Sequence, residues 1–528
     1  MTQWARPPQQ RDQMVLFAQR LDDALPPDHV VRLLDEILSR LDWSKLEASY
    51  HARLGQPAIH PRILVAVLLY GLFTRIRSSR ALEEALVVRL DFRWLVEGRT
   101  IDHTTISEFR RRHAAELKDL FVQVCQLARE LNLLGLQRVA FDGTRVRADN
   151  RRSGTRTPEQ LRREQAEDAA AYEDYAAQGE AEDARDEEVF GLQSSHALPE
   201  ELADAPRRQQ KIEAALAELA RLEEAGQTAP SRLPITDPQS RVMPNKEGGF
   251  APNYTPTATV DVTSGLVLEA TVLNVLNEDQ HLIPAVEAVQ EQFGLEKPPA
   301  EVLTDGLNGT GANLGAAEDR GITLYSPCPI PDPATNPALR NDPTQPVPAA
   351  DWDRLPMKKV KGGQQLDKSA FVYDAERDCY WCPLGQALPY TCTTSEASAT
   401  GQRIRRRYRA PTEACAACPL RERCLQGRAK ARQINREQYE GSRERHAQRM
   451  ATPQAQETYA ERRHAGERPF AVIKQQFGLR RFLLRGLQKV QGEWYLACTA
   501  FNLLRLISLL RCRAGPGADL LAPTPSTA

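Results

Sequence analysis

The pattern of hydrophobic and polar positions divides the chain into a helical N-terminal part and a later part of mixed strands and helices. The run "HPRILVAVLLYGLFTRI" begins with a proline near its first turn and stays apolar for long enough to form a buried helix. The stretch from Asp102 repeats apolar residues at helical spacing, and Thr105 and Glu108 within it have the spacing of a capping box. The pattern predicts an all-helical domain over residues 1–135.

Short runs of β-branched and apolar residues replace the helical pattern after residue 135. The stretch "VAFDGTRVRA" predicts a strand that ends at Asp142, and "NYTPTATVDVTSGLVLEATVLN" predicts a β-hairpin around its TSG turn. An amphipathic helix and a short strand that ends at Asp305 follow. The order strand, insertion, strand, strand, helix, strand predicts an α/β fold with a mixed sheet that insertions interrupt.

Composition places the boundaries of these parts. Residues 151–239 are rich in alanine, glutamate and arginine and are predicted to form an acidic helical insertion. Residues 326–436 contain the cysteine cluster, and residues 513–528 are predicted to be a disordered tail. The predicted sheet domain is therefore discontinuous and comprises residues 136–150, 240–325 and 437–512.

The charge of the chain is unevenly distributed, although its formal net value is −1. Residues 151–230 contain 19 acidic and 10 basic side chains, whereas residues 401–517 contain 9 acidic and 25 basic ones. A basic C-terminal third predicts a polyanionic partner such as nucleic acid, and a solvated arginine-rich surface is the alternative.

Three consecutive arginines, Arg110, Arg111 and Arg112, lie among the short predicted helices of the N-terminal domain. Several short helices with basic residues near one helix N-terminus are typical of a helix-turn-helix type of DNA-binding bundle, in which a helix enters the major groove. We therefore predict that these three side chains contact DNA. Helical packing without any role in DNA binding is the alternative.

Two features of the chain bear on its location. The first residues lack an apolar segment after a basic one, so we expect no signal peptide. The late apolar stretch contains Thr499, Asn502 and Arg505, which predicts a buried helix and no membrane span. We expect a cytoplasmic, nucleoid-associated protein with reduced thiols.

Two aspartates are candidates for metal binding. Asp142 and Asp305 each follow a short apolar strand and precede a glycine, so both are predicted at carboxyl ends of strands, where open α/β sheets bind ligands. Two carboxylates brought together there would repel each other unless a cation lay between them, and oxygen ligands favour magnesium or manganese. Two such ions can activate an attacking oxygen and stabilise a leaving oxygen during phosphoryl transfer.

A third carboxylate is expected on a helix packed against the sheet. Arg463, Glu467, Phe470 and Lys474 recur at i, i+4, i+7 and i+11, so they are predicted to share one helix face. A carboxylate at Glu467 could hold a metal while the two cations meet phosphates. An ion pair on a solvated helix is the alternative.

In this order, "FDGTRVRA", "VLTDG" and the pattern Y-x3-R-x3-E-x6-K, which starts at Tyr459, resemble the DDE transposases of bacterial insertion sequences. The chain is similar to the branch with a helical N-terminal DNA-binding module and a cysteine cluster between the second and third acids. The resemblance covers nearly the whole chain. It implies a ribonuclease H-like mixed sheet with flanking helices, two magnesium or manganese ions, and cleavage and joining of double-stranded DNA at transposon ends and targets by a homodimer.

The resemblance also implies roles for individual residues. Asp142, Asp305 and Glu467 would be the three catalytic, metal-binding acids, and Arg463 and Lys474 would contact DNA phosphates near the cleavage point. The chain departs from the family after the second aspartate, where "DGLNGTG" replaces the usual alanine-glycine-aromatic sequence.

Two C-x-x-C pairs indicate a structural zinc site, because four thiolates can close a tetrahedron around the ion. Spacing alone favours Cys379, Cys382, Cys415 and Cys418 as the ligands. The resembling family more often keeps one cysteine in the first cluster and three in the second. We therefore predict zinc ligation by Cys382, Cys415, Cys418 and Cys424, with Cys379 as the rival. Zinc would then stabilise an insertion that has little hydrophobic core of its own. A cysteine cluster without bound metal is the alternative.

The preferred function is a DNA transposase. The alternative is a catalytically inactive DNA-binding relic or repressor that binds transposon ends, which would need no acids in register. A nuclease that cuts DNA without joining it is a third possibility, and only a strand-transfer assay separates it from the first.

Overall fold

The computed structural model describes residues 20–50, 58–150, 154–167, 170, 205–245, 248–360, 363–398 and 401–513. The chain forms two compact units. The first comprises Met1–Glu278, Ala285–Glu296 and Arg463–Ala528, and the second comprises Asp279–Pro284 and Lys297–Arg462. The predicted disordered tail lies almost entirely outside the described residues, as does a large part of the acidic insertion.

Helices fill the N-terminal part of the first unit, as predicted. Pro61 occupies the first turn of the apolar helix Pro61–Phe73, where its missing N–H costs nothing, and most residues of that helix are buried. These helices are α1 (Val30–Ser39), α2 (Ser44–Glu47), α3 (Pro61–Phe73), α4 (Ser79–Val88), α5 (Leu90–Leu95), α6 (His103–Arg112) and α7 (Ala114–Glu130).

The predicted capping box is wrong. The side chain of Asp102 caps α6 by accepting a hydrogen bond from the backbone N–H of Thr104, so the helix begins before Thr105. The predicted continuous helix is interrupted at His113, whose backbone is not helical, and α7 starts at the next residue.

An antiparallel sheet is the centre of the first unit. Its central strand is β6, which pairs with four others and is almost completely buried. The predicted hairpin is confirmed as β6 and β7, which pair antiparallel from Thr255 opposite Leu273. The strands of this unit are β1 (Arg138–Gly143), β2 (Val146–Arg147), β3 (Thr155–Arg156), β4 (Leu233–Pro234), β5 (Arg241–Pro244), β6 (Phe250–Asp261) and β7 (Val267–Leu273).

The acidic insertion contributes helical residues 158–167 and α8 (Ala205–Glu224), and the pair β3 and β4 closes it. Leu161, Ile212 and Leu219 form a small buried cluster within it. The helix α9 (Leu282–Phe293) follows β7, as the amphipathic pattern predicted.

The helix α17 (Leu487–Arg513) is long and apolar enough to cross a membrane, but 67% of its most apolar window is buried in the fold. Its polar groups are satisfied by the sheet: Trp494 Nε1 donates to the Thr257 carbonyl over 3.0 Å, and Asn502 exchanges hydrogen bonds with the backbone of Val267. The prediction of a buried core helix is therefore confirmed.

The second unit begins with a parallel pair of strands, β8 (Glu301–Leu303) and β9 (Thr323–Tyr325), joined through α10 (Gly311–Asp319). The fold class is thus mixed α/β, as predicted. The cysteine-rich part contains β10 (Met357–Val360), β11 (Gly363–Leu366), β12 (Val372–Asp374), β13 (Cys379–Trp381), β14 (Ala387–Ser398), β15 (Gly401–Arg409) and β16 (Gln433–Glu437).

Strands β12 to β16 form an antiparallel sheet with a hydrophobic core of its own. Leu366, Leu388 and Tyr408 in this core are completely buried. The expectation that the insertion has little core is therefore wrong, because the sheet and the short helices beside it enclose a cluster of apolar side chains.

The remaining helices are short and lie between the cysteines and α17. They are α11 (Thr412–Ala416), α12 (Arg421–Cys424), α13 (Glu440–Met450), α14 (Pro453–Ala460), α15 (Arg462–Ala465) and α16 (Arg468–Gln475). Four 3-10 turns complete the secondary structure at Leu21–Ala24, Asp279–His281, Ala349–Arg354 and Lys368–Ala370.

Candidate active site

Asp142 lies at the carboxyl end of β1, as predicted. Val139, Ala140 and Phe141 before it are fully buried, whereas Asp142 is half-buried and pairs with Ala258 of β6. Its Oδ1 accepts a hydrogen bond of 2.9 Å from the N–H of Gly143. The apolar run fixes the strand in the core, and the carboxylate emerges at its end.

A second carboxylate, Glu278, lies next to Asp142. One carboxylate oxygen of each residue is within 4.8 Å of the other, and Glu278 is only 8% exposed. The topology explains the approach: β1 and β7 are both antiparallel to β6, so they run in the same direction and end at the same edge. We call Asp142 and Glu278 the acid pair.

Gly143 makes room for this pair. A Cβ atom at position 143 would lie 3.0 Å from the carboxyl carbon and Oε1 of Glu278, closer than side chains normally approach. The advantage of glycine here is therefore close packing and not an unusual backbone angle.

Arg145 supplies a positive charge beside the acid pair. Its guanidinium donates to Thr255 Oγ1 over 2.8 Å and to the Leu276 carbonyl. Burial lowers the pKa of Arg145, and the charge of Glu278 opposes that shift. Because two neighbouring carboxylates repel each other, the pair also suits a divalent cation, and its ligand atoms are the hard oxygens that magnesium and manganese prefer.

Glu467 does not lie inside a continuous helix. Helix α15 ends at Ala465 and α16 begins at Arg468, so Glu467 is the residue that precedes α16 and is exposed. Pro469 accounts for the break, because its ring would clash with the carbonyl of Ala465 in a continuous helix. The prediction that Arg463 and Glu467 share a helix face with Lys474 is therefore wrong.

Helix α16 nevertheless packs on the core of the first unit. Phe470 stacks on Trp494 with ring centroids 6.0 Å apart, and Ile473 is fully buried. Lys474 donates to Thr144 Oγ1 and, over 2.8 Å, to the carbonyl of Arg145. These bonds fasten the end of α16 to the turn directly after Asp142.

Asp305 follows β8 in the second unit, as predicted, and is half-buried. Its Oδ1 accepts hydrogen bonds from the N–H groups of Leu307 and Asn308, at 3.0 and 3.1 Å, and from Asn308 Nδ2 at 3.1 Å. Asn308 is fully buried. The unusual "DGLNGTG" sequence thus forms a turn that orients the carboxylate of Asp305.

The three N-terminal arginines occupy the last turn of α6, where positive charge complements the helix dipole. Arg110 is 8% exposed and donates to the Arg77 carbonyl over 2.9 Å, and burial lowers its pKa. Its side chain therefore packs inside the fold and is not available at the surface. Arg112 pairs with Glu108, and Arg111 is exposed. Arg463 is also exposed, in α15.

Four cysteines line one cavity of about 230 Å³ in the second unit: Cys382, Cys415, Cys418 and Cys424. Burial raises the pKa of Cys424 to about 12, and the other three thiols add to that shift. No three of the sulfur atoms lie within 4.8 Å of one another in the part of the chain that the structure describes.

Cys379 does not line this cavity. It is buried in β13, where burial raises its pKa and the nearby charges are Asp374, Arg377 and Asp378. Cys382, in contrast, lies in a tight turn in which its sulfur accepts from the Gln386 N–H at 3.4 Å. The geometry therefore favours the set with Cys424 over the set with Cys379.

Sequence reasoning missed Glu278. It lies in the loop "NEDQ" after β7 and has no motif of its own. The signal that could have found it is topological: the predicted hairpin returns its second strand to the edge where Asp142 lies, so acids after that strand are candidates.

Two comparisons with known families match parts of the chain. Residues 19–112 match the family described as Transposase domain (DUF772), and residues 381–507 match the family described as Transposase DDE domain. The second match contains Glu467 and the four cysteines that line one cavity. No curated protein matches the chain. The two matched segments, in this order along one chain, indicate a DDE transposase of the insertion-sequence type.

Proposed function

We propose that the chain catalyses metal-dependent strand cleavage and strand transfer of double-stranded DNA at transposon ends. The observation that carries this proposal is the acid pair, which brings Asp142 and Glu278 within 4.8 Å at one sheet edge. Asp305 and Glu467 are the further acids that the family resemblance assigns. A relic that only binds DNA would have no need for two carboxylates brought this close together.

Magnesium or manganese fits the residues present. The pair offers carboxylate oxygens, one half-buried and one buried, and the guanidinium of Arg145 lies beside them. When bound, a pair of such ions would activate the attacking oxygen and stabilise the leaving one. Asp142 and Glu278 would hold an ion, and the packing at Gly143 would keep their spacing short.

DNA binding is proposed for Arg111 and Arg112 in the N-terminal helices and for Arg463 in α15. Arg110 is left out because its side chain is buried. Lys474 is proposed to contact a phosphate from its place beside Arg145. The proposal further includes a homodimer on the transposon ends, a target DNA, no membrane partner and a cytoplasmic, nucleoid-associated location.

A structural zinc ion is proposed for Cys382, Cys415, Cys418 and Cys424. Shared lining of one cavity supports this set. The loops that carry the thiols would have to draw together, because a tetrahedral site with bonds of about 2.3 Å needs closer sulfur atoms. Zinc would fix the loops around α11 and α12, next to a sheet that has its own core.

The test uses the purified full chain with linear DNA that carries the element's ends and a separate target plasmid. Manganese should support strand cleavage and joining by the wild type, and Asp142→Asn should abolish both while DNA binding is retained. Asp23→Asn, an exposed aspartate of the first unit, is the matched control and should act like the wild type. Cleavage by Asp142→Asn at the wild-type rate would refute the assignment, and cleavage without joining would establish a nuclease instead.

A further inference from the structure

A cavity of about 240 Å³ in the first unit is lined by four cationic side chains, Arg145, Arg147, Lys474 and Arg480. The other lining residues are amides, and no carboxylate lines it among the residues that the structure describes. We call this cavity the basic pocket. Four positive charges around one small volume repel each other, so the arrangement favours an anionic ligand.

The basic pocket adjoins the acid pair. Arg145 belongs to both, because its guanidinium interacts with Glu278 and also lines the pocket. Lys474 fastens α16 to the same turn through Thr144 and Arg145. An anion held in the pocket would therefore lie close to whatever the acid pair acts on.

The walls of the pocket are built by regular structure. The backbone N–H of Arg147 donates to the Arg480 carbonyl over 3.2 Å, and the Phe482 N–H donates to the Arg147 carbonyl over 2.9 Å. Arg480 in turn donates from its guanidinium to Gln475 of α16. Two segments distant in sequence, β2 and residues 480–482, are thus joined by backbone hydrogen bonds, and each carries an arginine that lines the pocket.

A buried amide distinguishes this pocket from an ordinary basic surface. Asn253 is 1% exposed, and its Nδ2 donates to the carbonyls of Met243 and Ala251 and to the side chain of Asn245. Its Oδ1 is buried without a hydrogen-bond partner among the described residues. Since buried acceptors are almost always satisfied, a hydrogen-bond donor such as an ordered water molecule is expected at this wall, and it can link the amide to an anion.

We propose that the basic pocket binds a backbone phosphate of the DNA strand that the acid pair cuts, with Arg147 and Arg480 as its principal contacts. The proposal rests on the proposed function for the identity of the anion. It adds two residues that neither the motif pattern nor the family matches assign. Because phosphates are common to every sequence, the contact positions the strand and does not read bases.

The experiment measures the affinity of the full chain for a fluorescein-labelled DNA duplex by anisotropy, without divalent metal and over a range of salt concentrations. The variant is Arg147→Gln/Arg480→Gln. The control is Arg163→Gln/Lys211→Gln, which removes two exposed charges from the acidic insertion of the same unit. One lost phosphate contact should lower the slope of log K against log salt by about 0.9, with a loss of about tenfold in affinity at low salt.

We expect the pocket variant to show this lower affinity and lower salt slope on duplexes of several unrelated sequences. The control variant should bind like the wild type, and both variants should unfold at the wild-type temperature. A slope and affinity equal to those of the wild type would overturn the proposal, as would a loss confined to one DNA sequence. This assay measures DNA binding and no cleavage, so Asp142→Asn should bind DNA like the wild type. A failed cleavage test would therefore refute the proposed function, while the binding result would still test the pocket.

Discussion

Lys474 in α16 donates a hydrogen bond of 2.8 Å to the carbonyl of Arg145, three residues after Asp142. This bond joins the helix that follows Glu467 to the turn that follows the first acid of the site. Two positions 329 residues apart in the chain are thereby held together. The lysine that the motif pattern selects for contact with DNA thus also acts as a positioning residue for the strand end.

Replacement of Lys474 by methionine should loosen this attachment. Hydrogen bonds from a charged donor contribute roughly 1.5–3 kcal/mol, so we expect a loss of that order in the free energy of unfolding. Thermal and urea denaturation measure it. Lys489→Met, at an exposed position of α17, is the control and should change stability little. Equal stability of the two variants would show that Lys474 has no positioning role.

Glu278→Gln should remove catalysis while the protein stays folded. The substitution keeps the size of the side chain and removes the charge that draws a cation to the acid pair. Since loss of a group outside the metal's own ligands already costs about 10–100-fold, the loss of a ligand should lower strand cleavage by at least roughly 100-fold. Glu213→Gln, an exposed glutamate of α8, should cleave normally. Normal cleavage by Glu278→Gln would show that Glu278 takes no part in catalysis.

Gly143→Ala tests the spacing of the acid pair. The added methyl group would lie 3.0 Å from the Glu278 carboxyl group and should push it away by a few tenths of an ångström. We expect about a tenfold weaker affinity for manganese, measured by titration calorimetry, because metal ligation depends on ligand geometry. Circular dichroism should stay unchanged. The control is Gly441→Ala, where the added methyl group meets only flexible arginine side chains. Gly321→Ala is unsuitable as a control because the backbone φ of Gly321 is +71°.

Metal analysis separates the two candidate zinc sets. Cys424→Ser should lose bound zinc, whereas Cys379→Ser should keep about one ion per chain, because only Cys424 lines the cavity with the other three thiols. After chelation, the strand signal of the insertion should persist, since strands β12 to β16 are held together by backbone pairing and by buried side chains such as Tyr408, which does not line the cysteine cavity. Zinc retained by Cys424→Ser and lost by Cys379→Ser would reverse the assignment.

Acidification should destabilise the second unit through His446. Burial lowers the pKa of this histidine, whose Nε2 lies 3.0 Å from the Ser326 carbonyl. The folded state therefore prefers the neutral ring, so its contribution to stability is lost as the pH falls below the unfolded value of about 6.5. Unfolding midpoints measured between pH 7 and pH 5 should fall less in His446→Gln than in the wild type. Parallel pH profiles would contradict this role.

The elements that the sequence predicted correctly are those with strong local patterns. The apolar run before Asp142, the hairpin of β6 and β7 and the buried helix α17 follow from periodicity alone. Asp305 at the end of β8 follows from the same strand-end rule.

The wrong predictions concern residues whose positions depend on contacts with distant parts of the chain or on a competing local interaction. Glu278 joins Asp142 only through the shared pairing of β1 and β7 with β6, which no local pattern contains. Pro469 breaks the helix that the spacing of Glu467 and Lys474 predicted. Arg110 is buried because the Arg77 carbonyl receives its guanidinium, a partner 33 residues away.

The most direct test of the central claim is anomalous diffraction from crystals of the full chain soaked in manganese. We expect a manganese peak bonded to carboxylate oxygens of both Asp142 and Glu278, and its loss in crystals of Glu278→Gln. Manganese bound elsewhere, with the carboxylates of Asp142 and Glu278 both outside its coordination shell, would contradict it.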